Sequence, residues 1–206
     1  MKKNFIVLLC LFGAVCFGEG KNLLLNGTFE NKKVIAKALD KNLLEHIRNG
    51  WDLGAGPMVI LPEAWRPCGG SAVFELIDLE EEPEKKAFVH SGNRSAYFKF
   101  SKSFFNILNT VQFAPGEYEL KFWCMGKGRI AFSDICYGIN PATGKVGKHL
   151  KSNRFFQEKI DTQGKWQFFS KHCSLGEFPG TVYFILYFTG IHGEVYIDDI
   201  EFIKIK

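Results

Sequence analysis

From residue 94 to its end the chain alternates short runs of β-favouring residues with turn signals, a punctuation that suits strands and little else. Segments 94–100 (RSAYFKF), 117–124 (EYELKFWC), 129–137, 165–170, 181–189 and 194–204 each read as a strand. Between them fall Pro115-Gly116, Gly126-Lys127-Gly128, Pro141 to Gly144, Gly164, Pro179-Gly180 and Gly190 to Gly193, residue types that reverse a chain. With no alternating helices, this spacing predicts an all-β chain, an antiparallel β-sandwich of jelly-roll type. A content of 15 % aromatic residues suits a core of large side chains. Val34, Ala38, Leu39, Leu43 and Ile47 share an i, i+4 face that ends at Gly50, which predicts a short helical insertion near 32–48. The charged stretch 80–86 (EEEPEKK) reads as a solvated loop.

Residues 1–20 stand apart. A basic start (Lys2, Lys3), an apolar run from Phe5 to Phe17 and small residues at Gly18 and Gly20 have the pattern of a secretory signal peptide, too short to span a bilayer. No second long apolar run follows. The expectation is export to an extracellular or periplasmic space, free or cell-surface associated, with residues 21–206 forming a single domain. Cys68, Cys124, Cys136 and Cys173 lie beyond the leader; in an oxidising compartment they permit two disulfides in three pairings, and free buried thiols serve as well. The net charge of +4 is scattered without a basic stripe, which argues against a nucleic-acid partner.

The two ends carry related features. Segment 22–30 (NLLLNGTFE) is an apolar run, a turn pair Asn26-Gly27, then Phe29 and Glu30. Segment 193–202 (GEVYIDDIEF) alternates so that Tyr196, Asp198, Ile200 and Phe202 are expected on one core-side face, where an acid needs a partner or a metal. With Gly50-Trp51, HSGNRSAYF at 90–98, PGEYELKFWCMGKG at 115–128 and GKWQFFS at 164–170, these motifs occur in an order that resembles carbohydrate-binding modules of the family 4/9/22 type, which have a galactose-binding-like jelly roll. The likeness spans nearly all of 21–206. The chain departs from it in the insertion at 31–49 and in 52–87, where Trp65 and Cys68 match nothing in the pattern.

The resemblance implies a structural Ca2+ near the chain ends, with Glu30 and Asp198 as ligands and Asp199 in reserve; calcium takes six to eight oxygens, backbone carbonyls included. The alternative is that these acids are hydrogen-bonded structural groups. Zinc is not expected, because His46, His90, His149, His172, His192 and the cysteines lack the spacing of zinc ligands. The resemblance also implies a carbohydrate partner, a poly- or oligosaccharide. Pyranose rings stack on flat aromatic faces and need polar neighbours. Period-two counting turns Trp123 outward from Tyr118, Leu120, Phe122 and Cys124, turns Tyr183 and Tyr187 outward from Phe184 and Leu186, and turns Tyr97 outward from Phe98. These four rings are the candidate ligand-binding residues, unless an inserted segment covers them. Trp51 and Trp166 read as packing. No nucleophile elbow, Cys/His pair or phosphate loop is present, so an enzyme is not expected. The competing reading is a structural or protein-interaction jelly roll with a covered cleft.

Overall fold

The computed structural model describes residues 21–100, 105–109, 116–139, 143, 146–175 and 182–205; within 105–109, 134–139, 146–153 and 182–191 it describes backbone pairing alone. The leader lies outside the described residues. Ten strands follow in order: β1 Lys32–Ala36, β2 Met58–Pro62, β3 Trp65–Gly70, β4 Val73–Asp78, β5 Arg94–Phe100, β6 Phe105–Asn109, β7 Gly116–Ile139, β8 Val146–Asp161, β9 Gln167–Leu175 and β10 Val182–Lys204. All of their ladders are antiparallel, as expected for a sandwich.

Two long strands build both layers. β7 and β10 pair along nearly their whole length. The first half of β7 also pairs with β9 and its second half with β8. On the other flank the early part of β10 pairs with β6, which pairs with β3, while its later part pairs with β5, which pairs with β4. The sequence reading split each of these strands in two at its glycines, where the chain bends without leaving the ladder. Phe122 and Phe132 are ten residues apart, about 33 Å along a straight strand, yet their ring centroids are 4.9 Å apart. β7 therefore folds back on itself and places its two halves on opposite sides of one core.

Beside this bend a glycine on β10 lets the two strands approach closely. Gly193 has φ +131, and a Cβ there would lie 2.2 Å from the Lys127 carbonyl oxygen. Gly193→Ala is expected to strain the backbone by about 1–3 kcal/mol, read as a lower denaturant midpoint.

The core is largely aromatic. Phe122 packs on Phe132, Phe156 and Phe169, Tyr118 stacks on Phe202, and Phe29 lies against Trp65. Trp51 is buried, as the sequence predicts. Cys124 and Cys173 are buried free thiols, so two disulfides do not form; the Cys68 and Cys136 side chains lie outside those described. Burial pushes the Cys124 thiol far up, which keeps it inert.

The insertion differs from expectation. Residues 32–36 (KKVIA) form β1, paired with β2, because a β-branched run with an apolar partner gains more as a hairpin than as helix. The helix α1 covers only Lys41–Arg48; the Asp40 carboxylate caps it by accepting from the Asn42 and Leu43 N–H groups. Segment 52–87, unplaced by sequence, supplies β2, β3, β4 and a 3-10 turn at Pro83–Phe88.

The chain ends are tied through backbone. Leu23 N–H donates to the Phe202 carbonyl, and the Asn22 side chain both donates to the Ile200 carbonyl and accepts from Phe202 N–H. Gly27 accepts from Ile200 N–H at 2.9 Å. A Cβ on Gly27 would stand 1.9 Å from the Ile200 oxygen, which explains the glycine of the turn pair.

Candidate functional site

The outward face where β9, β7 and β10 lie side by side carries a cluster of rings. Trp123 is cross-strand neighbour to Phe168 on one side and Asp198 on the other. Its indole stacks on His90 at 3.9 Å and 18°, and lies 5.4 Å from Phe168. Trp166, just after the Gly164 turn, meets His90 edge-on at 5.6 Å and donates from Nε1 to the Ala87 carbonyl. Phe168 is 51 % exposed, so the cluster opens to solvent through that ring.

Acids on β10 position the loop that brings His90. Asp198 Oδ2 accepts from the His90 and Ser91 N–H groups, and its Oδ1 accepts from Asp199 N–H. His90 Nδ1 lies 2.7 Å from Asp199 Oδ2, and Ser91 Oγ donates to Asp199 Oδ1 at 2.8 Å. A half-buried aromatic wall thus has a carboxylate, a hydroxyl and an imidazole beside it, the mixture that polyhydroxylated ligands require.

The face of Asp198 corrects the sequence reading. Val195, Ile197, Ile200 and Phe202 belong to the core, whereas Tyr196 and Asp198 lie on the opposite face. A register irregularity between Asp198 and Glu201, with Asp199 at φ +47, resets the alternation, so period-two counting across it fails. Asp198 is 0 % exposed because the 90–91 loop covers it. Burial, with the like charge of Asp199, pushes its carboxyl up to about 8 against the pull of three backbone N–H donors.

Glu30 serves the same loop from the other end. Its Oε1 accepts from Asn93 and Arg94 N–H. The cation beside it is Arg94, whose Nη1 donates to the Glu30 carbonyl at 2.7 Å and lies 3.7 Å from Oε2. The same guanidinium reaches Asp78 at 2.9 Å and Glu80 at 2.5 Å, while Lys32 bridges Asp78 and Glu81. The acidic stretch 80–86 is therefore in part an ion-pair partner rather than a purely solvated loop. Glu30 Oε1 and both Asp198 oxygens accept from N–H groups, and the Arg94 guanidinium stands 3.7 Å from Glu30 Oε2, so in this arrangement the two acids act as hydrogen-bonded structural groups rather than as the free carboxylates a shared calcium would need. Among the described residues no group of three or more His, Cys, Asp or Glu side chains could hold a metal.

Of the four predicted ring residues, the structure places Trp123 in the cluster. Tyr97 lies elsewhere on that outward face, 4.8 Å from Tyr196, which in turn stacks on Phe88 at 4.7 Å. Burial and the neighbouring Glu194 raise the Tyr97 hydroxyl well above the usual phenol range. Tyr183 and Tyr187 pair with Tyr137 and Ser133 on β7; their side chains lie outside those described. Sequence reasoning missed His90 and Phe168 and assigned Trp166 to packing. The β7–β9 register that sets Phe168 beside Trp123 was the signal within reach; the arrival of His90 depends on the loop.

No known family pattern matches the chain, and no curated protein matches it. Solved structures similar to it include carbohydrate-binding modules with a β-sandwich fold, and also the enzymatically active domain of bacteriophage CBA120 tailspike protein 4, at 12 % identity and TM-score 0.44 over 89 % of this chain and 21 % of that one. The modules include the CBM22-2 xylan-binding domain of Paenibacillus barcinonensis Xyn10C, at 14 % identity and TM-score 0.48, covering 69 % of this chain and 92 % of that one. TmCBM61, solved with β-1,4-galactotriose, matches at 12 % identity and TM-score 0.45 over 89 % and 99 %. A family 16 carbohydrate-binding module matches at 17 % and 0.42 over 89 % and 100 %.

Proposed function

We propose that this protein is an exported, non-catalytic carbohydrate-binding protein of the module type, with the ring cluster on β7 and β9 as its sugar-binding face. The observation that carries the reading is the open Phe168 ring, backed by Trp123 and edged by His90, Ser91 and Asp199. A pyranose stacks its C–H face on Phe168, and its hydroxyls meet the Asp199 carboxylate and Ser91 hydroxyl. The ligand class is a neutral poly- or oligosaccharide. Residues 1–20 act as the export signal, and among the described residues no helix is long and apolar enough to cross a membrane.

A glycan array followed by titration calorimetry tests this. Phe168→Ala is expected to weaken binding by about 1–3 kcal/mol, the loss of a stacked, desolvated ring, with little change in melting temperature because half of that ring already faces water. Wild-type protein that binds no glycan on the array would overturn the reading.

A second reading draws on the covered rings. Phe88 lies over Tyr196 beside Tyr97, and His90 over one face of Trp123. If the outward rings serve only to seat the 79–93 segment, the domain is a structural or protein-interaction jelly roll, and Phe168→Ala changes nothing measurable.

A further inference from the structure

A cleft of about 980 Å³ opens between α1, the β1–β2 hairpin and the start of β3, in the insertion that departs from the family resemblance. We propose that it is a second ligand site, taking a neutral, hydroxyl-rich ligand such as one end of an oligosaccharide; this rests on the carbohydrate reading and extends it to a new surface.

The floor of the cleft is aliphatic. Leu25, 58 % exposed, Ile35 and Leu61 line it. Trp65 also borders it but is buried, with its Nε1 engaged by the Asn26 carbonyl, so it offers no stacking face. The polar groups divide in two. The Asn26 side chain donates to the Asn31 and Glu63 carbonyls and accepts from Asn31 N–H, Asp40 caps α1 and Lys32 holds Asp78 and Glu81, so these maintain the cleft wall. Lys33, Asn42, Glu45 and His46 have no such task and line the same space.

Those four side chains present an ammonium, an amide, a carboxylate and an imidazole. Donors and acceptors are balanced, and both charge signs occur, so no single-sign field favours an ionic ligand. An aliphatic floor with hydrogen-bonding walls and no open ring suits a polyol that is held edge-on through its hydroxyls rather than stacked. The volume lies at the upper end of small-molecule sites and holds about two to three pyranose rings. Glu45 and His46 sit one turn into a capped helix whose Leu43 is buried, so the groups are presented on a fixed element.

The test is calorimetric titration with a panel of neutral oligosaccharides, xylohexaose and β-1,4-galactotriose among them, on the full chain. The variants are Glu45→Ala/His46→Ala in the cleft and Phe168→Ala on the ring face. Both changes lie on the surface, and melting curves check that the fold is kept. The expected result is two binding events in the wild type, of which the cleft pair weakens one at least tenfold while Phe168→Ala weakens the other and leaves cleft binding in place. Binding abolished by Phe168→Ala and unmoved by the cleft pair overturns the cleft site and leaves the ring face standing. Binding lost only in the cleft pair supports the cleft and removes the ring face. A wild type that binds nothing overturns both.

Discussion

Arg94→Ala is expected to lower the unfolding free energy by about 3 kcal/mol, near the lower end of the range for breaking a buried ion pair. The Arg94 side chain is 8 % exposed and that of its partner Asp78 is 6 %. Its five N–H donors reach three separate elements: the Glu30 carbonyl after the first turn, Asp78 at the end of β4 and Glu80 in the following loop. Removing it leaves the half-buried Glu30 carbonyl without this donor and takes one of two cations from Asp78. Lys32 remains at 2.6 Å, which keeps the loss from being larger. Arg94→Lys should recover only part of it, since one ammonium cannot span three acceptors.

The effect has a pH signature. Burial alone would raise the Asp78 carboxyl, but Lys32, Arg94 and the Glu80 N–H outweigh it and hold the group below its usual range. A depressed carboxylate contributes stability above its unfolded pKa and loses it as pH falls through the folded value. The gap between wild type and Arg94→Ala should therefore close below about pH 4. Melting curves with and without a chelator complete the test. With the guanidinium supplying the charge beside Glu30, chelation is expected to leave the wild-type melting temperature unchanged; a clear drop would show that a bound cation holds the chain ends.

Phe122→Ala is expected to cost about 3–5 kcal/mol of folding energy. The ring is 0 % exposed and touches Phe132 at 4.9 Å, Phe156 at 5.1 Å and Phe169 at 5.1 Å. Those partners come from the second half of the folded-back β7, from β8 and from β9. Their own backbones are fixed in ladders, so the hole cannot collapse and the lost contacts are not replaced. Denaturant unfolding measures the change, and a loss below about 1 kcal/mol would mean that the two layers are not joined through this ring. Set beside Phe168→Ala, which should alter binding and spare stability, it separates the inner face of the sandwich from the outer one.

Much of this was legible beforehand where the signal is local. Tyr118, Leu120, Phe122 and Cys124 alternate with outward residues as period-two counting predicts, and all four are buried. The same counting failed at Asp198, because a single left-handed residue, Asp199, resets the alternation one position later. It also missed β8, whose sequence VGKHLKSNRFFQEKID interrupts its apolar residues with charges and has three register irregularities of its own. At 32–36 an i, i+4 pattern fitted a helix, but the partner strand at 58–62 decided for a hairpin.

The sequence by itself determined the all-β class, the reversals and the row of rings that fills the core, because turn residues and alternation act over a few neighbouring positions. Only the tertiary structure decided which acids serve as loop anchors, which rings stand open and where the insertion leaves a cleft. His90 meets Asp199 across 109 positions and Arg94 meets Glu30 across 64. Contacts at such separation depend on how the layers close, and no local periodicity encodes them.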